Sequence, residues 1–131
     1  VPQEKSLAHD ENKLIACVDD NPRMCQLMKD IIAEAGHQFL GINDSSKIIP
    51  LCFIHQPNLI FIDLEMLGID TWKVCRKLRN SKALQQRPII VLVGQKGVWE
   101  PLHNKISGSS AFISKPLSKE DILDTILQHL P

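Results

Sequence analysis

The chain has 131 residues, 44% hydrophobic and 23% charged, which is ordinary material for one globular domain with its own core. Fifteen basic residues cancel fifteen acidic ones, so no net positive charge points to nucleic acid as the partner of this domain. No apolar run approaches the roughly 18 residues of a membrane span, and no secretory signal pattern precedes the fold, so a cytoplasmic protein without membrane attachment is expected.

Residues 1–12 are polar, contain Pro2 and lack a period, and are expected to form a flexible lead or linker to a single domain over 13–131. Because the chain opens on Val1 rather than Met, an attached upstream domain is expected. Lys13 to Val18 reads as a strand that ends in Asp19-Asp20. Asn21-Pro22 then supplies a helix cap followed by proline at the first helical position. Met24, Leu27, Met28, Ile31, Ile32 and Ala35 follow at helical spacing, and Gly36 closes the helix. Gln38 to Ile42 is a short second strand. Asp44-Ser45-Ser46 caps a weaker helix carrying Ile48, Ile49, Cys52 and Phe53, stopped before Pro57.

Leu59 to Ile62 is a continuous apolar run, the pattern of a strand buried on both faces of a parallel sheet. Asp63 stands where that run stops, and either opens a loop or occupies the position where α/β sheets carry their sites. A third helix is predicted over Thr71 to Asn80, and Pro88 to Val93 is a second fully apolar strand ending at Gly94. Gln95 to Gly108 holds two glycines and Pro101, which predicts a short or irregular fourth helix. Ser110 to Ser114 is a fifth strand, cut off by Lys115-Pro116. Ser118 to Asp121 resembles a capping box, and Ile122, Leu123, Ile126, Leu127 and Leu130 make a last amphipathic helix. Five strands alternating with five helices predict a three-layer α/β sandwich, a parallel sheet with helices on both faces. The four cysteines, Cys17, Cys25, Cys52 and Cys75, form no CxxC pair and are expected as buried, reduced thiols. Lys77, Arg79 and Lys82 read as a solvated helix face.

The polar residues at the strand ends form a pattern. In a parallel sheet Asp19-Asp20, Asp63 and Lys115 reach the same edge. Three carboxylates brought together raise one another's pKa values unless a cation intervenes. Mg2+, which combines a few carboxylates with water, is the natural partner. A metal, a free carboxylate and an ammonium make a place for a phosphoryl group that Asp63 would attack. The plain alternative is that Lys115 pairs with Asp63 while the acidic pair caps the next helix.

These residues resemble the receiver domain of two-component response regulators, and the resemblance runs from about Lys13 to Leu130. It implies a flavodoxin-like strand order of 2-1-3-4-5. Asp19-Asp20 match the family's metal-holding acidic pair, Asp63 the aspartate phosphorylated by a histidine kinase, and Lys115-Pro116 the family's lysine and following proline. The backbone carbonyl of Glu65 would complete the Mg2+ shell, and Phe112 sits where the family has its aromatic switch residue. Val93 departs from the pattern, because the family usually places Thr or Ser there to bond the phosphoryl group. Gly94 can still offer its N–H. Leu67 replaces a usual proline and Thr71 a usual glycine, both in the loop.

The resemblance implies a non-enzymatic phosphoacceptor, at most catalysing its own phosphorylation and dephosphorylation. Its implied partners are a sensor histidine kinase or phosphotransfer protein, an attached domain, and a second copy through the last strand and helices. The rival reading is a degenerate receiver acting as a phosphorylation-independent interaction module, which Val93 favours. A small phosphohydrolase with Glu65 as acid/base, and a flavin-binding sandwich, are weaker alternatives.

Overall fold

The computed structural model describes residues 12–66, 70–94 and 110–130. Its elements run β1 (Leu14–Val18), α1 (Pro22–Glu34), β2 (Gln38–Ile42), a 3-10 turn (Ser45–Lys47) leading into α2 (Ile48–His55), β3 (Leu59–Asp63), α3 (Thr71–Arg79), β4 (Ile89–Val93), β5 (Ala111–Ser114) and α4 (Lys119–His129). The strands form one parallel sheet in the order β2-β1-β3-β4-β5, as the resemblance implied. The predicted helix between Gln95 and Gly108, and the lead over 1–12 apart from Asn12, lie outside the described residues.

The alternation of side chains along a strand divides the core in two. Ala16, Val18, Ile60, Ile62, Ile89, Val91 and Val93 face one side, where Ile48 and Cys52 of α2 and Cys75 and Leu78 of α3 cover them. Ile15, Cys17, Leu59, Phe61, Ile90 and Leu92 face the other, under Met28, Ile31 and Ile32 of α1 and Ile122 and Ile126 of α4. Every residue of β3 and β4 is buried, which explains why their sequences carry no polar alternation.

The helix starts follow local chemistry. Asn21 accepts from the N–H groups of Arg23 and Met24, Asp70 from those of Trp72 and Lys73, and Ser118 from that of Asp121. One start differs from the sequence expectation. Asp44 caps the 3-10 turn rather than α2 itself, which begins at Ile48 and has no side-chain cap. Gly36 takes φ 90°, a left-handed conformation that costs glycine little, and so lets the chain turn from α1 into β2.

Candidate functional site

Register places the site. Val18 of β1 lies opposite Ile62 of β3, so the next residue along each strand sets Asp19 beside Asp63. Val93 of β4 lies opposite Ser114 of β5, which sets Gly94 beside Lys115. By the two-residue period, Asp19, Asp63, Gly94 and Lys115 all continue the face that α1 and α4 cover. Glycine at the intervening position carries no side chain, and the Lys115 ammonium reaches the carboxylates of β1 and β3 from the end of β5.

Lys115 Nζ lies 3.3 Å from Asp19 Oδ2 and 3.5 Å from Asp63 Oδ1. Both carboxylates are buried, whereas Asp20 is exposed. One oxygen from each of Asp19, Asp20 and Asp63 can be chosen so that all three lie within 4.8 Å of one another. Asp19 Oδ1 accepts from the Asn21 N–H at 2.9 Å, and Asp63 Oδ1 from the Glu65 N–H at 3.1 Å. The turns after β1 and β3 thus fold back over the carboxylates that begin them. The Lys115–Pro116 peptide bond is cis.

Burial raises the Asp19 carboxyl above its ordinary value, and the nearby Asp63 charge adds to this, outweighing the Asn21 N–H and Lys115. Burial pulls the Lys115 ammonium down, but Asp63 and Asp19 together more than reverse this and raise it. One ammonium therefore does not fully compensate the cluster. Three oxygen donors with a residual excess of negative charge suit a hard divalent cation.

Val93 is 1% exposed and belongs to the apolar cluster on the α2 and α3 side. Phe112, half-buried, packs against the same cluster. Gly94 is covered by the Glu65 carboxylate, which occupies the space a β-carbon would need. The expected site residues are thus at one end of the sheet, with Val93 and Phe112 sharing one face.

Two residues play parts that sequence reasoning missed. Thr71, read as a loop departure, is the buried first residue of α3, and its hydroxyl donates to the carbonyls of Asp63 at 3.2 Å and Leu64 at 3.3 Å. It ties α3 directly to the strand end that carries Asp63. Arg79, read as part of a solvated face, is half-buried. Its Nη1 donates to the carbonyls of Leu84, Gln85 and Arg87, and its Nη2 to Ser110 Oγ at 3.2 Å. The basic type at the end of a helix hinted at a carbonyl partner, but the reach to β5 is visible only in three dimensions. The thiols are closer to expectation: burial pushes Cys52 and Cys75 up to about 11. Cys25 is only half-buried and donates to the Asp19 carbonyl at 3.1 Å.

Comparison with known proteins agrees with this geometry. Protein PilG of Pseudomonas aeruginosa is 26% identical over 117 residues, covering 89% of this chain and 87% of its own. The polar-differentiation response regulator DivK of Brucella ovis is 27% identical over 120 residues, covering 90% and 96%. Among solved structures, the chemotaxis response regulator CheY4 of Vibrio cholerae superposes with a TM-score of 0.83 at 18% identity, covering 91% of this chain and 99% of its own. The receiver domain of the sensor histidine kinase PA1611 from Pseudomonas aeruginosa, whose structure has a magnesium ion in the active-site cleft, gives 0.82 at 16%, covering 90% and 97%. Among the described residues no helix is long and apolar enough to cross a membrane. Residues 15–127 match the family model of the response regulator receiver domain, and the chain therefore belongs to that family, the receivers of two-component phosphorelay signalling.

Proposed function

We propose that the domain over 13–131 takes up a phosphoryl group on Asp63 and relays its state to a partner or to an attached domain, with 1–12 as the connecting lead. The observation that carries this reading is the convergence of Asp19, Asp63 and Lys115 within 3.5 Å contacts, with Asp20 in the same oxygen cluster. Glu65 N–H and Lys115 both engage Asp63 Oδ1, which leaves Oδ2 as the attacking atom. A bond forms from Oδ2 to phosphorus as the bond to the donor's histidine nitrogen breaks, and that nitrogen keeps the electron pair. Lys115 would offset charge on the phosphoryl oxygens, and the Gly94 N–H would donate to one of them.

Asp19, Asp20, Asp63 and the Glu65 carbonyl would hold Mg2+, with Asp20 as a direct ligand and Asp19 acting mainly through water. Bound there, the ion supplies positive charge to the carboxylate cluster and the transferring group. The magnesium seen in the PA1611 receiver supports this assignment. The donor is a sensor histidine kinase or a phosphotransfer protein, in the cytoplasm. The chemistry is confined to the domain's own phosphorylation and dephosphorylation. A second copy would pair through β5 and α4, where Leu127 stands 78% exposed.

Beryllofluoride, a stable mimic of the phosphoryl group, tests the reading. A ligand at about 100 times its dissociation constant stabilises by about 2.7 kcal/mol, so Mg2+ with beryllofluoride should raise the Tm of the parent by several degrees. Asp63→Asn should show no such rise. A rise of the same size in Asp63→Asn would remove Asp63 from the acceptor role. Val93 favours a second reading, signalling without phosphorylation, because it offers no donor to the phosphoryl group; the complete set of Asp19, Asp20, Asp63 and Lys115 weighs against it.

A further inference from the structure

The helix α2, with the sequence Ile-Ile-Pro-Leu-Cys-Phe-Ile-His, is apolar on every side, a composition proper to a helix covered all round. Only Ile48 and Cys52 are buried; Phe53 is 43% exposed and Ile54 71%. Its neighbour α3 is the opposite in character. From Thr71 to Arg87 the chain carries Lys73, Arg76, Lys77, Arg79, Lys82 and Arg87 and no acidic residue. Arg79 and Arg87 are engaged with backbone carbonyls of the α3–β4 connection. Lys73, Arg76, Lys77 and Lys82 are exposed and enter no salt bridge among the described residues. Lys73, Arg76 and Lys77 stand at i, i+3 and i+4, one outward face of the helix. The two helices pack side by side, and no carboxylate lies on α2 or between it and the end of β3 short of Asp63.

We propose that the seam between α2 and α3 is a docking surface for an acidic amphipathic helix of a protein partner. Its apolar stripe would cover Phe53 and Ile54 while its carboxylates meet Lys73, Arg76 and Lys77. Charge complementarity selects the partner: the overall charge of the chain is zero, yet from Thr71 to Arg87 this face holds cations alone, and Asp70 at its edge is engaged in capping α3. Three cations within one turn match carboxylates repeating at the same helical interval. Nucleic acid would leave Phe53 and Ile54 uncovered. A membrane surface would need a long apolar stripe parallel to the cations, and α2 is only 8 residues long. Exposed ion pairs alone contribute little, so the apolar anchors and the cations are both required. The surface lies on the α2 and α3 side of the sheet and does not depend on the chemistry of Asp63.

The test uses an 18-residue synthetic peptide with leucines at helical spacing and glutamates elsewhere, titrated into the full chain labelled with 15N at physiological salt. Amide signals of residues 53–54 and 73–77 should shift together. Ile54→Ser and the double variant Lys73→Glu/Lys77→Glu should each weaken binding at least fivefold without lowering Tm, and a peptide with lysines in place of the glutamates should not bind. Three results would overturn the proposal. The first is no shift on these helices at millimolar peptide. The second is binding indifferent to Ile54→Ser, which makes the contact a charge effect only. The third is phosphatidylglycerol vesicles perturbing these residues where the peptide does not, which makes the surface a membrane face.

Discussion

Asp19 has the least favourable electrostatic position in the site, and this makes its titration informative. Its folded pKa is raised, first by burial and then by Asp63, so the folded protein binds this proton more tightly than the unfolded chain. Stability from this residue is therefore present at low pH and declines as pH rises from its ordinary value of 3.8 through the raised folded value. Asparagine at the position does not titrate. In EDTA, the Tm of Asp19→Asn minus that of the parent should grow between pH 4 and pH 7, and millimolar Mg2+ at pH 7 should shrink it again. A difference that stays flat with pH would show that the carboxylate is not under strain. Lys115 has the same sign in a different window: its raised folded pKa gives stability that is complete below 10.5 and is lost only above it. The neutral range therefore isolates Asp19. Residues of this kind were legible in the sequence because a charge immediately after an apolar strand is conspicuous. Thr71 was not, since a hydroxyl at the start of a helix is unremarkable until its bonds to the carbonyls of Asp63 and Leu64 are seen.

At the scale of the elements, β4 and β5 carry the question of how a phosphoryl group would be felt elsewhere. Val93 ends β4 inside the apolar cluster against which Phe112 of β5 packs. The family resemblance implies that a hydroxyl there would bond the phosphoryl group only in the modified state, and a hydrogen bond to a charged group contributes about 1.5–3 kcal/mol. At 1.4 kcal/mol per tenfold, we expect valine to weaken the shift towards the modified conformation by about ten- to a hundredfold. We expect Val93→Thr to lose about 1–2 kcal/mol of stability when unmodified, because its hydroxyl is buried without the phosphoryl partner. With beryllofluoride it should regain that loss and shift the amide signals around Phe112 more than the parent does. A parent that already shows the full shift would mean that Val93 is no impediment. The strands were the most legible elements, because β3 and β4 are uninterrupted apolar runs of the right length. The start of α2 was less so: Asp44 is a good cap, yet the turn it caps is 3-10, and only the packing of Ile48 and Cys52 on the sheet decides where the α-helix begins.

For the molecule as a whole, topology does the work of assembling the site. Asp19, Asp63 and Lys115 come from three strands separated by up to 96 residues, and the parallel order brings all three strand ends to one edge. The order itself was legible only through the family resemblance, since alternating strands and helices imply a parallel sheet without fixing which strands are neighbours. Arg79 escaped for the same reason: its link to Ser110 joins α3 to the start of β5, a contact between distant stretches that no local pattern announces. Intact-protein mass spectrometry after incubation with acetyl phosphate and Mg2+ would show whether this edge makes Asp63 a phosphoacceptor. A single added phosphate is expected, stable in acid and lost in base, that maps to Asp63, disappears in EDTA and is absent from Asp63→Asn. An adduct of equal yield in Asp63→Asn, or one indifferent to EDTA, would contradict that role for Asp63.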